Sequence, residues 1–318
     1  YRLDELLVKH FGDRAGLVLD LASYMVVEGR NQGQYYPDYA YRHPLFSPGM
    51  RIYSDSTVSK FLSSVKDEQI AGFLNDWNTD RDHKSRIYVS YDSTNKNCQA
   101  GDVDFVEFGK AKVDLGLPIF NVGLAMDQNN RIPLFYELYP GSINDVSQFK
   151  FMVDKAVGYG YKNIGFIIDR GYFCKANIRY MDEKNYGFVM MVKGCKPLVC
   201  AIIDEHRGTF ETRRACSIAG HHIHGTTVKR KLFPDDERER YLHLFFSPVK
   251  MMKERCRLED EIEQMQRLLE RSVGQQITFG EPHTRFFDFL YDDEGRLVTA
   301  LEKTEAVEKE LERCGYFC

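Results

Sequence analysis

Two aspartates that follow apolar runs are the residues of this sequence best suited to chemistry. Asp92 ends the alternating run 87–91, and Asp169 ends the run 164–168. If the two runs form neighbouring parallel strands, both carboxylates emerge at one edge of a sheet, where their mutual repulsion requires a cation. An oxygen-only site favours Mg²⁺ or Mn²⁺, and two such ions about 3.5 to 4 Å apart promote phosphodiester cleavage. For either aspartate alone, a turn or helix-cap role is the simpler interpretation.

The sequence predicts the order of the strands and helices around the two aspartates. Three apolar runs predict an antiparallel meander, and Asn144 or Asp145 is placed to cap the helix that follows. Strand four then ends at Asp169 and is followed by a second helix and a fifth strand. The predicted strands are 87–91, 119–126, 132–139, 164–168 and 188–192, and the predicted helices are 146–157 and 175–183. This order allows strands one and four to lie side by side in the middle of the sheet.

The regions on either side of these elements have different sequence patterns. Residues 2–82 have helical periodicity, interrupted by a tyrosine- and proline-rich loop at 31–50. Asp55 or Ser56 is expected to cap one helix of a later pair, which forms either a support region or a DNA-binding unit. Strand-like runs near the C-terminal end surround a long amphipathic helix at 250–271. Those runs are 226–232, 241–246 and 285–290.

Composition excludes several classes of protein. The chain has 318 residues, of which 43% are hydrophobic and 13% aromatic, so it is neither disordered nor fibrous. Charged residues interrupt every apolar run well before a membrane span, and the eight cysteines lack paired spacing. These features predict a cytoplasmic protein with free thiols. The net charge of −4 means that nucleic-acid binding would depend on local basic patches.

Three segments resemble the DDE transposases of bacterial insertion sequences. They are Asp92 after its strand, Tyr139-Pro140-Gly141-Ser142-Ile143-Asn144-Asp145 before a helix, and Ile167-Ile168-Asp169-Arg170-Gly171-Tyr172-Phe173. The resemblance covers about residues 86–195, and beyond them it is one of layout. It implies an α/β fold with a ribonuclease-H-like mixed sheet flanked by helices, interrupted by a mostly β insertion with one long helix. The implied parts are an N-terminal helical region (1–84), the catalytic core (85–194), the insertion (195–314) and the start of the returning core segment (315–318).

The resemblance also implies an activity and its requirements. A DDE transposase uses metal-activated water and then a freed 3′-hydroxyl to attack phosphodiester bonds. Asp92 is then expected to bridge two Mg²⁺ or Mn²⁺ ions and Asp169 to hold one of them. The implied partner is double-stranded DNA, both the terminal inverted repeats of an element and its target, bound by a homodimer. The implied location is the bacterial cytoplasm, at the nucleoid when DNA is bound.

The third acidic ligand of such a site does not match any residue of this sequence. In the family it is a glutamate on a helix after the insertion, within a pattern of Tyr, two residues, Arg, three residues and Glu, which this sequence lacks. The glutamate is therefore expected beyond Cys318, and the 318 residues alone are expected to cleave DNA poorly. Glu302, Glu305 and Glu308 belong instead to a segment typical of a solvated helix face.

Basic residues suggest where DNA is bound. Arg170, directly after the second aspartate, is suited either to a phosphate or to an ion pair with Asp169. Further phosphate contacts are predicted for five residues: Lys193, Lys196, Lys229, Arg230 and Lys231. Short basic runs are also common on surfaces that bind nothing.

Other interpretations stay open at this point. Asn144 and Asp145 are either cap residues or supports for the metal site. A zinc site is conceivable but lacks the closely spaced cysteine pair of strong zinc motifs; its candidate ligands are Cys200, Cys216, His221, His222 and His224. The fold is also compatible with an inactive DNA-binding remnant of a mobile element, or with a ribonuclease-H-like nuclease acting on another nucleic acid.

Overall fold

The computed structural model of the chain describes residues 2–83, 85–101, 103–193 and 195–318, and leaves the side chain of Asp145 undescribed. The chain forms two compact units, Tyr1–Met190 and Met191–Cys318. The division falls close to the predicted boundary between the core and the insertion. The predicted roles of the four regions stay a prediction, since compactness does not assign a role.

The N-terminal part of the first unit is helical, as the sequence periodicity predicts. Its core contains Leu17, Tyr24 and Tyr36, which are almost completely buried. The predicted loop at 31–50 is wrong in part, because it contains a two-turn helix with Pro37 in the first turn, where proline is tolerated. The helices are α1 (Leu3–Phe11), α2 (Ala15–Glu28), α3 (Tyr36–Arg42), α4 (Asp55–Ser64) and α5 (Asp67–Thr79).

The cap of α4 also differs from the prediction. Its N-cap is Ser54, and not Asp55 or Ser56. The Ser54 hydroxyl accepts a hydrogen bond from the Thr57 backbone N–H at 3.3 Å. Ser54 has extended backbone angles, which suit the residue that precedes a helix.

The second part of the first unit is the sheet, and its elements confirm the predicted order of three strands, helix, strand, helix, strand. The largest difference from the predicted bounds is in the first strand, which the sequence predicts to end at Tyr91 and which continues for six more residues to Asn97. The elements are β1 (Ile87–Asn97), β2 (Ile119–Asp127), β3 (Ile132–Pro140), α6 (Asp145–Gly158), β4 (Ile164–Ile168), α7 (Lys175–Glu183) and β5 (Gly187–Met190).

The five strands form one mixed sheet in the order β3-β2-β1-β4-β5. β2 is antiparallel to both β1 and β3, whereas β4 is parallel to both β1 and β5. Strands one and four are therefore parallel neighbours in the middle of the sheet, as predicted. The directions and order of the strands confirm the predicted ribonuclease-H-like α/β fold.

Helices α6 and α7 cover one face of this sheet. Phe149 of α6 packs edge-to-face on Phe166 of β4, with ring centroids 6.1 Å apart. Buried Asn177 of α7 donates a hydrogen bond to the Val146 carbonyl of α6 at 3.1 Å, which joins the two helices. The apolar residues of this face are the alternate residues of each strand, as expected for strands with one buried face.

Helix α5 ties the N-terminal helices to the edge of the sheet. The Trp77 indole N–H donates to the Pro133 carbonyl at 2.8 Å. Asn78, which is fully buried, donates to the Leu134 carbonyl at 2.9 Å and accepts from the Tyr161 hydroxyl at 2.8 Å. These bonds satisfy polar groups that would otherwise be costly to bury.

The second unit contains a four-stranded sheet, a two-stranded sheet and a long helix. The four strands have the order β11-β8-β7-β6, and the pair is β10-β9. The long helix packs with Leu258, Ile262 and Leu269 in a separate apolar cluster. The elements are α8 (Lys196–His206), β6 (Ser217–Ile218), β7 (Ile223–Arg230), β8 (Arg240–Phe246), α9 (Pro248–Arg271), α10 (His283–Phe286), β9 (Phe287–Tyr291), β10 (Leu297–Glu302), α11 (Thr304–Glu312) and β11 (Tyr316–Phe317).

Residues 315–318, predicted to begin a returning core segment, lie in the sheet of the second unit. Tyr316 and Phe317 pair with Phe246 and Phe245 of β8. The Val192 backbone N–H donates to the Cys318 carbonyl at 2.9 Å, which joins two residues that are distant in sequence within this unit.

Candidate active site

Asp92 lies in the middle of β1, and not at the end of a strand as the sequence predicts. Residues 93–97 continue the strand, and pair with β2 from Gly123 to Ile119. These residues are polar and resemble a turn in the sequence, but the antiparallel partner satisfies their backbone groups. The pairing between β1 and β4 ends just before Asp92. Its last register pair is Tyr91 with Ile168.

Asp169 is the first residue after β4 and caps a short 3-10 turn formed by Arg170–Tyr172. Its carboxylate accepts a hydrogen bond from the Gly171 N–H at 3.4 Å, and the Asp92 carboxylate accepts one from the Ser93 N–H at 2.8 Å. Both aspartates are exposed. Each carboxylate therefore keeps free lone pairs toward solvent.

The register brings the two aspartates together. Because Tyr91 and Ile168 are partners on parallel strands, which lie about 4.8 Å apart, the residues that follow them, Asp92 and Asp169, are also neighbours. Side chains alternate between the faces of a strand, and Tyr91 is buried beneath the helices, so the Asp92 side chain belongs to the opposite face of the sheet. Asp169 lies just past β4, and its side chain caps the 3-10 turn that follows.

That opposite face, which we call the open face, is rich in exposed apolar side chains. Each strand contributes one, and their exposed fractions range from 37 to 57%. They are Tyr88, Leu124, Leu138, Ile167 and Val189. Leu124 is the register partner of Asp92, so apolar surface and carboxylates adjoin. An apolar surface that extends over five strands is typical of a binding or packing site.

The donors present fit hard divalent cations in part. Two exposed carboxylates on adjacent strands supply oxygen ligands of the type that Mg²⁺ and Mn²⁺ prefer. Within the described residues there is no group of three or more His, Cys, Asp or Glu side chains placed to hold a metal ion. The described residues therefore offer two exposed carboxylates here and no third His, Cys, Asp or Glu side chain grouped with them.

The predicted DNA-binding residues differ in whether a carboxylate of the chain already pairs with their charge. Arg170 is exposed, and within the described part of the chain no ion pair joins it to Asp169. Lys196 lies 3.4 Å from the Glu310 carboxylate, and Arg230 donates to both Glu205 oxygens at 2.9 Å. These ion pairs compete with phosphate binding. Lys193, Lys229 and Lys231 are exposed, and Lys229 lies over the Tyr241 ring.

The remaining candidate ligands, both the later glutamates and the zinc candidates, all lie in the second unit. Glu302 ends β10, while Glu305 and Glu308 are exposed residues of α11, all in the second unit. Cys200 lies in α8, Cys216 ends a 3-10 turn, and His224 of β7 pairs with Ser217 of β6. His221 and His222 are exposed.

Asn144 caps α6, because its side-chain oxygen accepts from the Ser147 N–H at 3.0 Å. The predicted role of the neighbouring Asp145 side chain lies outside the described residues.

Sequence reasoning missed a lysine that reaches the backbone next to Asp92. Lys110 and Lys112 lie in the long connection between β1 and β2, and the Lys112 ammonium donates to the Ser93 carbonyl at 2.9 Å. The only signal in the sequence is the alternation of Gly109-Lys110-Ala111-Lys112, which is too short to indicate a site. The side chains of Asn95 and Asn97 fix this connection, and their partners are distant in sequence.

The five-stranded mixed sheet, with its central parallel pair β1 and β4, has the strand order of a ribonuclease-H-like fold. The sequence matches the profile of the Transposase DDE domain family over residues 92–270, more than half of the chain. The protein therefore belongs to the DDE transposase family. The match begins at Asp92 and continues almost to the end of α9.

Solved transposase structures are similar to the chain only in a general way. The Mos1 transposase paired-end complex with left transposon end is 13% identical, covers 54% of this chain and 57% of its own, and has a TM-score of 0.22. The piggyBac transposase synaptic complex with hairpin DNA is 11% identical, with coverages of 65% and 42% and a TM-score of 0.33. The Drosophila P element transposase strand transfer complex is 10% identical, with coverages of 92% and 55% and a TM-score of 0.31.

The chain therefore spans about half the length of these transposases. No curated protein sequence matches the chain significantly. Among the described helices, none is both long and apolar enough to cross a membrane.

Proposed function

We propose that this protein cleaves and transfers DNA strands as the transposase of a bacterial insertion sequence. The observation that carries the proposal is the register of β1 and β4, whose last partners, Tyr91 and Ile168, directly precede Asp92 and Asp169. Family membership supports the same reaction class. The substrates are the terminal inverted repeats of the element and its target DNA, and the working form is a homodimer at the bacterial nucleoid.

Asp92 and Asp169 are proposed to hold two Mg²⁺ or Mn²⁺ ions. When bound, such ions lower the pKa of water, neutralise phosphate charge and stabilise a leaving oxygen. The chain's own contribution is to hold two like charges on adjacent strands, where β-sheet pairing fixes their spacing. In the absence of cations these charges repel each other, so the site favours binding of a divalent cation.

The third acidic ligand is proposed to arrive on a segment outside these 318 residues that packs on the open face. An amphipathic helix placed there would bury the apolar residues of the five strands and bring an acidic side chain beside Asp92. The supporting observation is that Asp92 and the exposed apolar side chains of the five strands share this face.

The test uses the full-length protein and DNA carrying the ends of the element that encodes it. Asp92→Asn should abolish Mg²⁺-dependent nicking while the protein remains folded, because it removes one ligand charge without changing shape. The matched control is Asp260→Asn, which changes an exposed carboxylate on α9 in the same way. Nicking by Asp92→Asn at the normal rate would refute the proposal. Selective cleavage of RNA–DNA hybrids, with element ends left intact, would instead identify a nuclease.

A further inference from the structure

The four-stranded sheet of the second unit has one buried face and one face toward solvent. Successive residues of a strand alternate between the faces, and residues directly opposite each other in antiparallel strands share a face. Leu242, Leu244 and the register partner of Leu242, Val228, are all buried. We call the other face the ring face. Its residues are Ile218 of β6, Ile223, Gly225, Thr227 and Lys229 of β7, Tyr241, His243 and Phe245 of β8, and Phe317 of β11.

Three rings lie side by side on the ring face. The ring centroids of His243 and Phe245 are 6.5 Å apart, and those of Phe245 and Phe317 are 5.3 Å apart in a stacked arrangement. Phe245 lies across β7 at Gly225, where a Cβ would be 2.8 Å from the Phe245 ring. A hydrogen bond of 2.9 Å joins His243 Nδ1 to the Thr227 hydroxyl. The row of rings is therefore held in place by the sheet itself.

A tyrosine and a lysine extend this row along β8 and β7. Tyr241 is 70% exposed, which is high for a large aromatic side chain within a paired strand. Its register partner is Lys229, whose ammonium lies 5.8 Å from the centre of the Tyr241 ring. Lys229 has no carboxylate partner within the described part of the chain, and none of the ring-face residues is acidic. The ring face thus combines aromatic surface with positive charge.

The chemistry of the ring face favours a single strand of nucleic acid as its ligand. Bases stack on exposed aromatic rings, and the phosphates that join them attract an unpaired ammonium group. A duplex suits the rings poorly, because its bases already stack on one another about 3.4 Å apart. Alternate side chains of an antiparallel strand are about 6.8 Å apart, so the rings of β8 match bases that have been drawn apart.

We propose that the ring face binds an unpaired stretch of a DNA strand. Successive bases stack on Tyr241, His243 and Phe245, and Lys229 contacts a phosphate between them. The inference goes beyond the proposed function, because it assigns a binding site in the second unit that involves neither aspartate. A protein partner is the competing occupant, and the test below decides between the two.

The experiment measures binding of a fluorescent oligothymidine of about 20 nucleotides to the 318-residue chain by anisotropy in EDTA. Tyr241→Leu should weaken binding about tenfold, because it removes the ring and keeps an apolar side chain. Tyr241→Phe should bind as the wild type, since it keeps the ring. The matched control is Tyr41→Leu, which changes a highly exposed tyrosine of α3 in the first unit and should have no effect.

The salt dependence of binding tests the phosphate contact. Lys229→Gln should weaken binding several-fold and reduce the slope of log K against log salt by about 0.7, the value expected for one phosphate of a single strand. Lys229→Arg should restore the slope. Lys253→Gln, which changes an exposed lysine of α9, serves as the control and should keep the slope of the wild type.

Two results would overturn the proposal. If Tyr241→Leu and Lys229→Gln both bind oligothymidine with wild-type affinity and slope, the ring face does not bind DNA and a protein partner becomes the better interpretation. If Tyr241→Leu weakens binding of a duplex of the same length by the same factor, the face does not recognise unpaired bases. Binding in EDTA does not depend on cleavage, so failure of this proposal is distinct from failure of the proposed function, which only the nicking assay decides.

Discussion

Tyr91 and Ile168 are partners on neighbouring parallel strands, and each is followed directly by an exposed aspartate. Both partners are buried under the helices that cover one face. This arrangement puts Asp92 on the other face and makes Asp169 its neighbour across the two strands. The approach of the two residues is thus a consequence of backbone register, and the 3-10 turn after β4 holds the Asp169 side chain.

Divalent-cation binding should depend equally on the two aspartates. Asp92→Asn and Asp169→Asn should each weaken Mn²⁺ binding about tenfold or more, because each removes a charged oxygen ligand. In EDTA, either variant should melt at the same or a higher temperature than the wild type, since like-charge repulsion is relieved. Titration calorimetry and thermal melts with and without Mn²⁺ check both effects. Asp260→Asn should behave as the wild type, and a Mn²⁺ affinity unchanged in both aspartate variants would contradict the assignment.

The attachment of α5 to the sheet should make a large contribution to stability. Asn78→Ala removes three hydrogen bonds of a buried amide. The Leu134 carbonyl and the Tyr161 hydroxyl each lose the hydrogen bond that they form with this amide. We expect a loss of about 2 to 4 kcal/mol in the free energy of unfolding, and about 1 kcal/mol for Tyr161→Phe. Urea denaturation measures both. Asn75→Ala, an exposed position of the same helix, should change stability by less than about 0.5 kcal/mol.

The two substitutions at this attachment should also be coupled. Asn78 and Tyr161 share one hydrogen bond of 2.8 Å, so the double variant should lose less stability than the sum of the single losses. Strictly additive losses would show that the shared bond does not contribute.

A salt bridge in the second unit should give stability a defined pH dependence. The Arg313 guanidinium donates to the Asp204 carboxylate at 2.9 Å and lowers the pKa of Asp204 below its ordinary value of 3.8; the charges of Lys309 and Arg207 add to this, and partial burial opposes it. Because the folded pKa is lower than the unfolded one, the stabilisation is complete above about pH 4 and is lost as the pH falls through the folded value.

Asp204→Asn should therefore be less stable than the wild type at pH 6, and the difference should shrink as the pH falls below 4. Urea unfolding monitored by circular dichroism between pH 2.5 and 6 measures the difference. Asp293→Asn, an exposed aspartate of the β9–β10 turn, serves as the control. A difference that does not depend on pH would show that Asp204 acts through packing and not through its charge.

Much of the first unit follows from local patterns in the sequence. The alternation at 87–91 and the apolar run at 164–168 are short, and the turns and caps around them limit where strands begin and end. Asn144 at the start of α6 is an example, since its capping bond is formed with a residue three positions away. The order of these elements then leaves few topologies with two central parallel strands.

What the sequence does not indicate depends on distant partners. Residues 93–97 have the composition of a turn, yet they form a strand because β2 lies beside them. Residues 110–114 of the connection between β1 and β2 are fixed by the side-chain amides of Asn95 and Asn97, whose partners lie 15 and 17 residues away in sequence. Tyr316 and Phe317 join the sheet of the second unit because β8 offers a free edge there, which no local pattern reveals.

The open face provides a decisive test of the proposed third-ligand segment. Ile167 is 40% exposed and Val189 is 57% exposed, and the two are register partners on β4 and β5. In the 318-residue chain, Ile167→Lys and Val189→Lys should change the free energy of unfolding by less than about 0.5 kcal/mol, as is usual for surface substitutions. In the full-length protein the same substitutions should destabilise by about 2 kcal/mol or more, because a lysine then replaces a buried aliphatic side chain. They should also reduce Mg²⁺-dependent nicking.

The control for the open face is Val26→Lys, a highly exposed apolar residue of α2 that is remote in sequence from the strands. It should be neutral in both forms of the protein. Equal effects of Ile167→Lys in the two forms would contradict the packing of a further segment on this face. Loss of nicking with unchanged stability would point to a different role for the face, because a segment that brings a ligand must bury apolar surface in order to stay there.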